Sequence, residues 1–323
     1  MISTAPAGAA TARAIAFVAD RRGPAEALGV ALSEWVNDPE RLAARLRDGL
    51  AGLADPAYLE GQRRIAPGIG ALFGVRWPLL AAAQRGFRQA TRHVPPTPLL
   101  FVSDRLFREP ELEIRWFAFD ILGRTLEADT ERTWQLMRRA AREAGDWITV
   151  DSLAYPYRTG IQRELYRWAE LEQLVYSPSR WERRLVGSTI ATMTHGGHRA
   201  ARDPELPRRA LALLGQLIGD AEPDVQKALS WAYRSLARID PAATTASLLA
   251  ETAMAVAGAD GHRAWVIRDS LSKLDPSTAE DIRRRLAGIR KRPHAAATSR
   301  SSEISARFGE LPDPSIHPDP PLA

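Results

Sequence analysis

The sequence predicts an all-α protein, and three features of its 323 residues indicate this class. Apolar residues recur at the spacing of amphipathic helices along most of the chain. Alternating runs of β-branched residues, which would indicate strands, are missing. Asp-Pro pairs begin at residues 203, 240 and 275, at steps of 37 and 35 residues, the length of two antiparallel helices with their turns. We therefore predict a HEAT-like or armadillo-type α-solenoid of antiparallel helix pairs.

Many of the predicted helices begin where an acidic residue precedes a proline. An Asp at the N-cap accepts hydrogen bonds from backbone N–H groups of the first turn, and a proline at the first helical position loses no hydrogen bond. Such pairs begin at residues 38, 55, 109, 203, 222, 240 and 275. The predicted helices are 5–20, 24–36, 39–53, 56–65, 77–92, 98–107, 110–126, 129–144, 147–155, 159–175, 178–194, 204–218, 222–239, 241–256, 261–274 and 276–291.

The predicted solenoid occupies residues 1–292, with N-terminal helices at 1–54 and the repeats at 55–292. After Arg292 the chain becomes rich in Ala, Ser and Pro and loses its apolar periodicity. A segment of this composition cannot bury enough apolar surface to form a core. We therefore predict that residues 293–323 form a disordered tail.

The composition excludes several kinds of site. The chain has no cysteine, which rules out disulfides, thiolate catalysis and cysteine-based zinc or iron–sulfur sites. No apolar run reaches about 18 residues, so we expect a cytoplasmic protein without a membrane partner. The net charge of +5, carried almost wholly by arginine, favours a polyanionic partner. We expect a monomer that uses neither a metal nor another cofactor.

One helix combines cations with a large aromatic side chain. Lys227, Trp231, Arg234 and Arg238 stand at i, i+4, i+7 and i+11 and therefore share one stripe of a helix. The apolar residues of this segment fall largely on the opposite side and can face the core. A tryptophan between cations is unusual as packing, and it indicates a surface that faces a polyanion.

Two earlier helices carry comparable faces. Trp147 and Asp151 stand at i, i+4, so the indole and the carboxylate share one side of a helix. Arg180 and Arg184 share a side of the next such helix, with Trp181 beside them. In a solenoid the second helix of each pair can line one wall, and we therefore predict a concave basic face.

Four segments occur in this order: EIRWFAFD at 113–120, WITVD at 147–151, WERR at 181–184 and VQKALSWAYR at 225–234. Together they resemble the DNA alkylation repair (AlkD-like) glycosylases. Asp55-Pro56 followed by FGVRWP at 73–78 is similar to the N-terminal signature of that family. The resemblance implies a HEAT-like solenoid whose basic face holds duplex DNA and which excises alkylated purines without flipping the base.

The resemblance also implies roles for single residues. Trp147 and Trp231 match the aromatic pair that packs against the deoxyribose of the damaged nucleotide, and Asp151 matches the catalytic carboxylate. Many relatives read Trp-Asp-x-x-Asp, and Ile148 replaces the first Asp here. This departure leaves the site with one carboxylate fewer than the pattern of those relatives implies.

The cations of the same segments are predicted to contact the DNA backbone. Arg184 matches a phosphate-contacting arginine of the family. The predicted DNA-binding residues are Arg180, Arg184, Lys227, Arg234 and Arg238. Contacts of this kind give affinity without sequence preference and a steep dependence on salt.

The expected chemistry suits these residue types. A purine alkylated at N3 or N7 is already cationic and leaves without a general acid. Hydrolysis then passes through an oxocarbenium-like sugar, as in glycoside hydrolysis generally. One carboxylate can stabilise this cation and orient the attacking water, and an indole can add about 0.5–2 kcal/mol of cation–π attraction.

Each of these residues also has a structural interpretation. Trp147 and Trp231 are alternatively core residues, and Asp151 is alternatively a cap or surface residue. Arg184 is alternatively part of an ion-pair network. Trp116 and Asp120 repeat the i, i+4 spacing, but two phenylalanines crowd that helix, and there we predict a core role.

Two other segments carry weaker signals. The glycine-rich segment 68–74 follows no predicted strand and lacks the Lys-Ser/Thr of a phosphate loop, so we predict a turn between helices. His195 and His198 have no Cys and no acidic partner at ligand spacing, so we predict a surface turn rather than a metal site.

The sequence therefore predicts a DNA glycosylase for cationic N3- or N7-alkylated purines in double-stranded DNA, associated with the nucleoid. One alternative is a non-catalytic relative that binds distorted duplexes through the same face. Another is a self-resistance glycosylase for bulky natural-product adducts, and a third is a protein-interaction solenoid.

Overall fold

The structure is a computed structural model that describes residues 8–66, 68, 70–194 and 205–308. In this part of the chain the secondary structure consists of sixteen α-helices with short 3-10 turns, and the one strand-like contact is an isolated bridge between Ala71 and Glu111. The predicted all-α helical repeat class is confirmed. None of the helices described is long and apolar enough to cross a membrane. The contacts within the chain divide it into two compact units, residues 1–140 and 141–323.

The first unit is built around a close pair of helices. Its helices are α1 (Ala9–Leu32), α2 (Pro39–Gly52), α3 (Pro56–Ile65), α4 (Trp77–Ala90), α5 (Pro96–Leu106), α6 (Leu112–Ala128) and most of α7 (Thr130–Glu143). α1 packs most extensively against α4. A β-carbon at Gly29 of α1 would lie 1.9 Å from the carbonyl oxygen of Ala83, and one at Gly86 of α4 would lie 2.1 Å from that of Glu26. These two glycines therefore permit the close approach of the helices.

A buried glutamate holds the connection between α3 and α4. Glu113 of α6 is 1% exposed and accepts hydrogen bonds from the backbone N–H groups of Phe73, Gly74 and Val75 at 3.2, 2.9 and 3.1 Å. The described residues of segment 68–74 lie between the two helices, as predicted. The carboxylate stabilises this turn because it satisfies three backbone donors that no helix pairs.

The second unit contains a row of four neighbouring helices. Its helices are α8 (Trp147–Arg163), α9 (Trp168–Leu174), α10 (Arg180–Met193), α11 (Glu205–Leu217), α12 (Pro223–Leu236), α13 (Pro241–Ala257), α14 (Gly261–Ser270), α15 (Pro276–Arg285) and α16 (Arg300–Phe308). α10 packs against both α8 and α12, and α12 also packs against α14. A β-carbon at Gly187 of α10 would lie 3.0 Å from the β-carbon of Ala228 on α12, so the missing side chain lets these helices come close.

Aspartate caps fix the start of several helices, as the acidic-proline pattern predicts. Asp38, Asp55, Asp240 and Asp275 each accept a hydrogen bond from a backbone N–H of the first turn. Glu222 makes no side-chain cap; Asp220, two residues earlier, accepts from the Glu222 N–H at 2.9 Å instead. The pair at residue 203 lies outside the described residues.

The glutamate-proline pair at residue 109 does not start a helix. Glu109 is buried in ion pairs with Arg47 and Arg105, and α6 begins only at Leu112. A carboxylate engaged by two arginines is not available to cap a backbone. The predicted start at residue 110 is therefore wrong by two residues.

Two prolines lie inside helices where the sequence predicts interruptions. The structure has one helix α1 through Pro24, and α8 continues through Pro156 to Arg163. A proline inside a helix removes one hydrogen bond and costs about 3 kcal/mol in an isolated helix. In α8 the proline is buried together with Tyr157 and Ile161, and this packing outweighs the local cost.

Residues 293–308, the described part of the predicted disordered tail, make contacts with other parts of the second unit. Thr298 donates a backbone hydrogen bond to the Gly219 carbonyl at 2.9 Å, and α16 packs against α11. Ser299 and Ser301 are buried. The prediction of disorder is therefore wrong for the described part of this segment, because tertiary contacts stabilise a sequence with few apolar residues. Residues 309–323 lie outside the described residues.

Candidate active site

The four-helix row brings the predicted residues of the second unit onto neighbouring helices. Trp147 and Asp151 lie on α8, and Arg180 and Arg184 on α10. Lys227, Trp231 and Arg234 lie on α12, and Arg238 follows its last residue. Residues that are about 30 to 90 positions apart in the sequence therefore lie on consecutive helices of one packed layer.

The carboxylate of Asp151 is held by three hydrogen bonds from α10. Its Oδ1 accepts from Arg184 Nε at 3.0 Å and from Ser188 Oγ at 2.5 Å, and its Oδ2 accepts from Arg184 Nη2 at 2.7 Å. The side chain of Asp151 keeps 21% of its surface exposed. Because each carboxylate oxygen can accept about two hydrogen bonds, Oδ2 retains capacity for one more donor. The result is a fixed carboxylate that can still be reached.

Arg184 is almost completely buried, and each of its three nitrogens has a protein partner. Nε and Nη2 form the bidentate pair with Asp151, and Nη1 donates to the Asp224 carbonyl oxygen at 2.5 Å. The side chain is 5% exposed. Bidentate pairing fixes the orientation of both groups. In this structure Arg184 links α8 to the first turn of α12, and its predicted phosphate contact stays a prediction.

The two predicted tryptophans differ in exposure. Trp147, the first residue of α8, is 41% exposed, and the Arg184 guanidinium carbon lies 5.8 Å from its ring centroid. Trp231 is half-buried on α12. A core position for Trp147 is therefore wrong, whereas Trp231 is neither fully buried nor fully exposed. Helix α8 begins at Trp147 because the Asp146 carboxylate accepts from the Thr149 N–H at 2.7 Å.

The predicted DNA-binding cations have different surroundings. Arg180 is exposed, with its guanidinium carbon 4.8 Å from the Trp181 ring centroid, and it pairs with Glu222 at 3.4 Å. Lys227 and Arg238 are exposed. These three side chains therefore need no rearrangement of the core to contact a partner.

Arg234 is held by an aspartate that sequence reasoning missed. Its Nη1 donates to both the backbone oxygen and Oδ2 of Asp269 on α14, at 2.6 and 2.7 Å. Ser230 donates to the same Oδ2 at 2.5 Å. Partial burial opposes ionisation of Asp269, but the hydrogen bonds from Ser230 and Arg234 outweigh it and lower the pKa of this carboxyl below its usual value.

Ser188 was also missed, although a signal was present. It lies one helical turn after Arg184 and therefore on the same side of α10. The sequence around Asp269 and Asp224 carries no such signal. Their roles follow only from the arginines of neighbouring helices that donate to them.

The other sequence hypotheses have separate outcomes. Trp116 packs against the core of the first unit, as predicted, and lies edge-on to Trp77 with ring centroids 6.3 Å apart. His195 and His198 lie outside the described residues. Within the described ranges, no group of three or more His, Asp or Glu side chains is placed to hold a metal ion.

Comparison with known proteins assigns the chain to a family. The search of curated proteins gave no significant match. A family model described as DNA alkylation repair enzyme matches residues 46–274, well over half of the chain. This range includes all the site residues discussed above, from Trp147 to Asp269. The chain therefore belongs to the DNA alkylation repair enzyme family.

Proposed function

We propose that this protein is a DNA glycosylase that hydrolyses the N-glycosidic bond of cationic N3- or N7-alkylated purines in duplex DNA, without flipping the base. The observation that carries the proposal is the Asp151 carboxylate, which is oriented by three hydrogen bonds and remains partly exposed beside the exposed indole of Trp147. Membership of a DNA repair family supports the choice of substrate.

The reaction requires little proton transfer. The bond between C1′ and the purine breaks with its electron pair going to the base, which loses its positive charge. Asp151 Oδ2, the oxygen with remaining acceptor capacity, stabilises the oxocarbenium-like sugar and orients a water. The water oxygen bonds to C1′, and its proton passes to solvent or to the carboxylate.

Arg184 and Ser188 act as positioning residues for this carboxylate. Their hydrogen bonds leave Oδ1 saturated and Oδ2 available, so they select the oxygen that meets the substrate. The Asp151–Arg184 pair is neutral as a whole, and it therefore repels the DNA backbone less than an isolated carboxylate would. This assignment gives Arg184 a different role from the phosphate contact that the family resemblance implies.

The surrounding side chains bind the DNA. Trp147 and Trp231 pack against the sugar of the damaged nucleotide and add cation–π attraction, about 0.5–2 kcal/mol for each indole. Arg180, Lys227 and Arg238, with Arg234, contact phosphates and make binding dependent on salt. A duplex substrate implies that the protein acts at the nucleoid.

The test is release of 7-methylguanine or 3-methyladenine from methylated duplex DNA by the wild type and by Asp151→Asn. We expect release by the wild type and a loss of about 100-fold or more in the variant, with DNA binding kept, because the amide cannot stabilise a cation as a carboxylate does. Asp120→Asn is the matched control: Asp120 also follows a tryptophan by four residues and pairs with Arg88 at 3.0 Å. It should release base within twofold of the wild-type rate.

The remaining outcomes identify the alternatives. Release that survives Asp151→Asn would contradict the mechanism. Salt-dependent binding without any release of a methylated base would point to a non-catalytic DNA-binding protein or to a glycosylase for bulky adducts. A duplex with a bulky N3-adenine adduct then separates these two, since only the second releases it.

A further inference from the structure

Two arginines of the four-helix row, Arg184 and Arg234, are anchored through different edges of the guanidinium group. Arg184 directs its Nε–Nη2 edge inward, onto Asp151. Arg234 is held only through Nη1, which gives both of its hydrogens to Asp269. Among the described residues, Nε and Nη2 of Arg234 have no hydrogen-bond partner. The edge that is occupied in one arginine is therefore open in the other.

The open edge is the one that recognises phosphate. The parallel N–H groups of Nε and Nη2 match two oxygens of a phosphate in a bidentate geometry. A free arginine on a helix surface loses about 2 kcal/mol of rotamer entropy when it is held in one orientation. Arg234 is already oriented, because Nη1 is tied to Asp269 of α14, and its side chain is 28% exposed.

The anchor itself is built from three groups on two helices. Asp269 Oδ2 accepts from Ser230 of α12 as well as from Arg234, and the backbone oxygen of Asp269 accepts the second Nη1 hydrogen. Since the Asp269 side chain is 45% exposed, its burial does not explain this arrangement. The lowered pKa of Asp269 is consistent with a carboxylate that these donors hold ionised.

We infer that Asp269 is a positioning residue that presents the Nε–Nη2 edge of Arg234 to one backbone phosphate of the bound nucleic acid. The inference rests on the proposed function only in its DNA-binding part. The inference predicts an effect of Asp269 on DNA affinity that is opposite to the effect expected from its negative charge alone. Removing an acidic side chain from a DNA-binding surface ordinarily strengthens binding, whereas removing Asp269 weakens it.

The experiment measures the affinity of the full chain for an unmodified duplex oligonucleotide by fluorescence anisotropy, at KCl concentrations from about 50 to 200 mM. Arg234→Ala and Asp269→Ala should each bind about tenfold more weakly, the loss of one charge-assisted contact. Each should also lower the slope of log affinity against log salt by about 0.9, the value for one phosphate. The double variant should resemble Arg234→Ala alone, because the aspartate acts through the arginine.

Two further variants separate positioning from charge and from folding. Asp269→Glu keeps the charge but moves the carboxylate by one methylene, and we expect binding several-fold weaker than wild type. Asp281→Ala is the control, since Asp281 pairs with arginines of its own helix α15, outside the four-helix row. It should leave the salt slope unchanged, and thermal melts of all variants check that they fold.

The outcomes divide clearly. Binding by Asp269→Ala as tight as wild type or tighter, or additive losses in the double variant, overturns the inference. An affinity of Asp269→Glu that equals the wild-type affinity within experimental error also overturns the inference. A wild type without salt-dependent binding overturns both the inference and the proposed function. Salt-dependent binding with the expected variant effects but without base release supports the inference and contradicts the glycosylase.

Discussion

The same two-residue pattern occurs in both units of this protein and has a different environment in each. Trp116 and Asp120 stand four residues apart on α6, as Trp147 and Asp151 do on α8. Trp116 packs against the core of the first unit, and its indole Nε1 is buried without a hydrogen-bond partner among the described residues. Trp147 is 41% exposed.

The aspartates of the two pairs also have different surroundings. Asp120 pairs with Arg88, but burial raises its pKa more than the charges of Arg88 and Arg124 lower it. Asp151 receives three hydrogen bonds from α10. The i, i+4 spacing only puts an indole and a carboxylate on one side of a helix. The neighbouring helices decide whether such a pair packs against a core or stays exposed with its carboxylate held by hydrogen bonds.

The largest expected difference is between alanine substitutions of the two tryptophans, one of which should affect stability and the other base release. Trp116→Ala should lower the free energy of unfolding by about 2–3 kcal/mol, because it removes a large side chain from a packed site. Base release per folded molecule should stay within twofold. Trp147→Ala should leave stability unchanged and reduce single-turnover release by about tenfold, the loss of one desolvated cation–π contact. Chemical denaturation and single-turnover assays measure the two quantities, and an exchange of these outcomes would refute the comparison.

The next contrast concerns Ser188 and Ser230, which donate hydrogen bonds to Asp151 and Asp269. Ser188→Ala should slow single-turnover release about three- to tenfold at saturating protein, since Asp151 loses one of the donors that orient it. DNA affinity should remain within twofold. Ser230→Ala should do the reverse, with weaker binding and normal release at saturation, because its partner Asp269 acts on Arg234. Equal effects of the two substitutions on release would contradict the assigned roles.

The smallest expected effect is the pH dependence of stability at Asp120. Its raised pKa means that the folded protein holds this proton more tightly than the unfolded chain does. The resulting stability is present below the ordinary value of about 3.9 and is lost as the pH rises through the raised pKa. Asp120→Asn, which mimics the protonated form, should therefore gain about 1–3 °C in Tm relative to wild type at pH 7. That gain in Tm should shrink towards pH 3. A gain that instead grows at low pH would contradict a raised pKa for Asp120.

Local sequence signals predicted helix starts better than helix interruptions. The caps at Asp55 and Asp240 were predictable because an N-cap aspartate and the N–H group it accepts from are within three residues of each other. The continuity of α8 through Pro156 was not, since the cost of the proline is local whereas the packing that offsets it comes from other helices. The helix α16 was missed for the same reason.

The sequence by itself determined the helical class, several of the caps, the order of the motifs and the presence of Trp147, Asp151, Arg184 and Trp231. These features depend on residue type and on spacing within one helix. Only the tertiary structure decided that Asp151 is held by Arg184 and Ser188 and that Arg234 is held by Asp269. Those pairs join residues 33 to 37 positions apart. Their geometry depends on how closely adjacent helices pack, as Gly187 permits against Ala228, and no periodicity within a single helix encodes that distance.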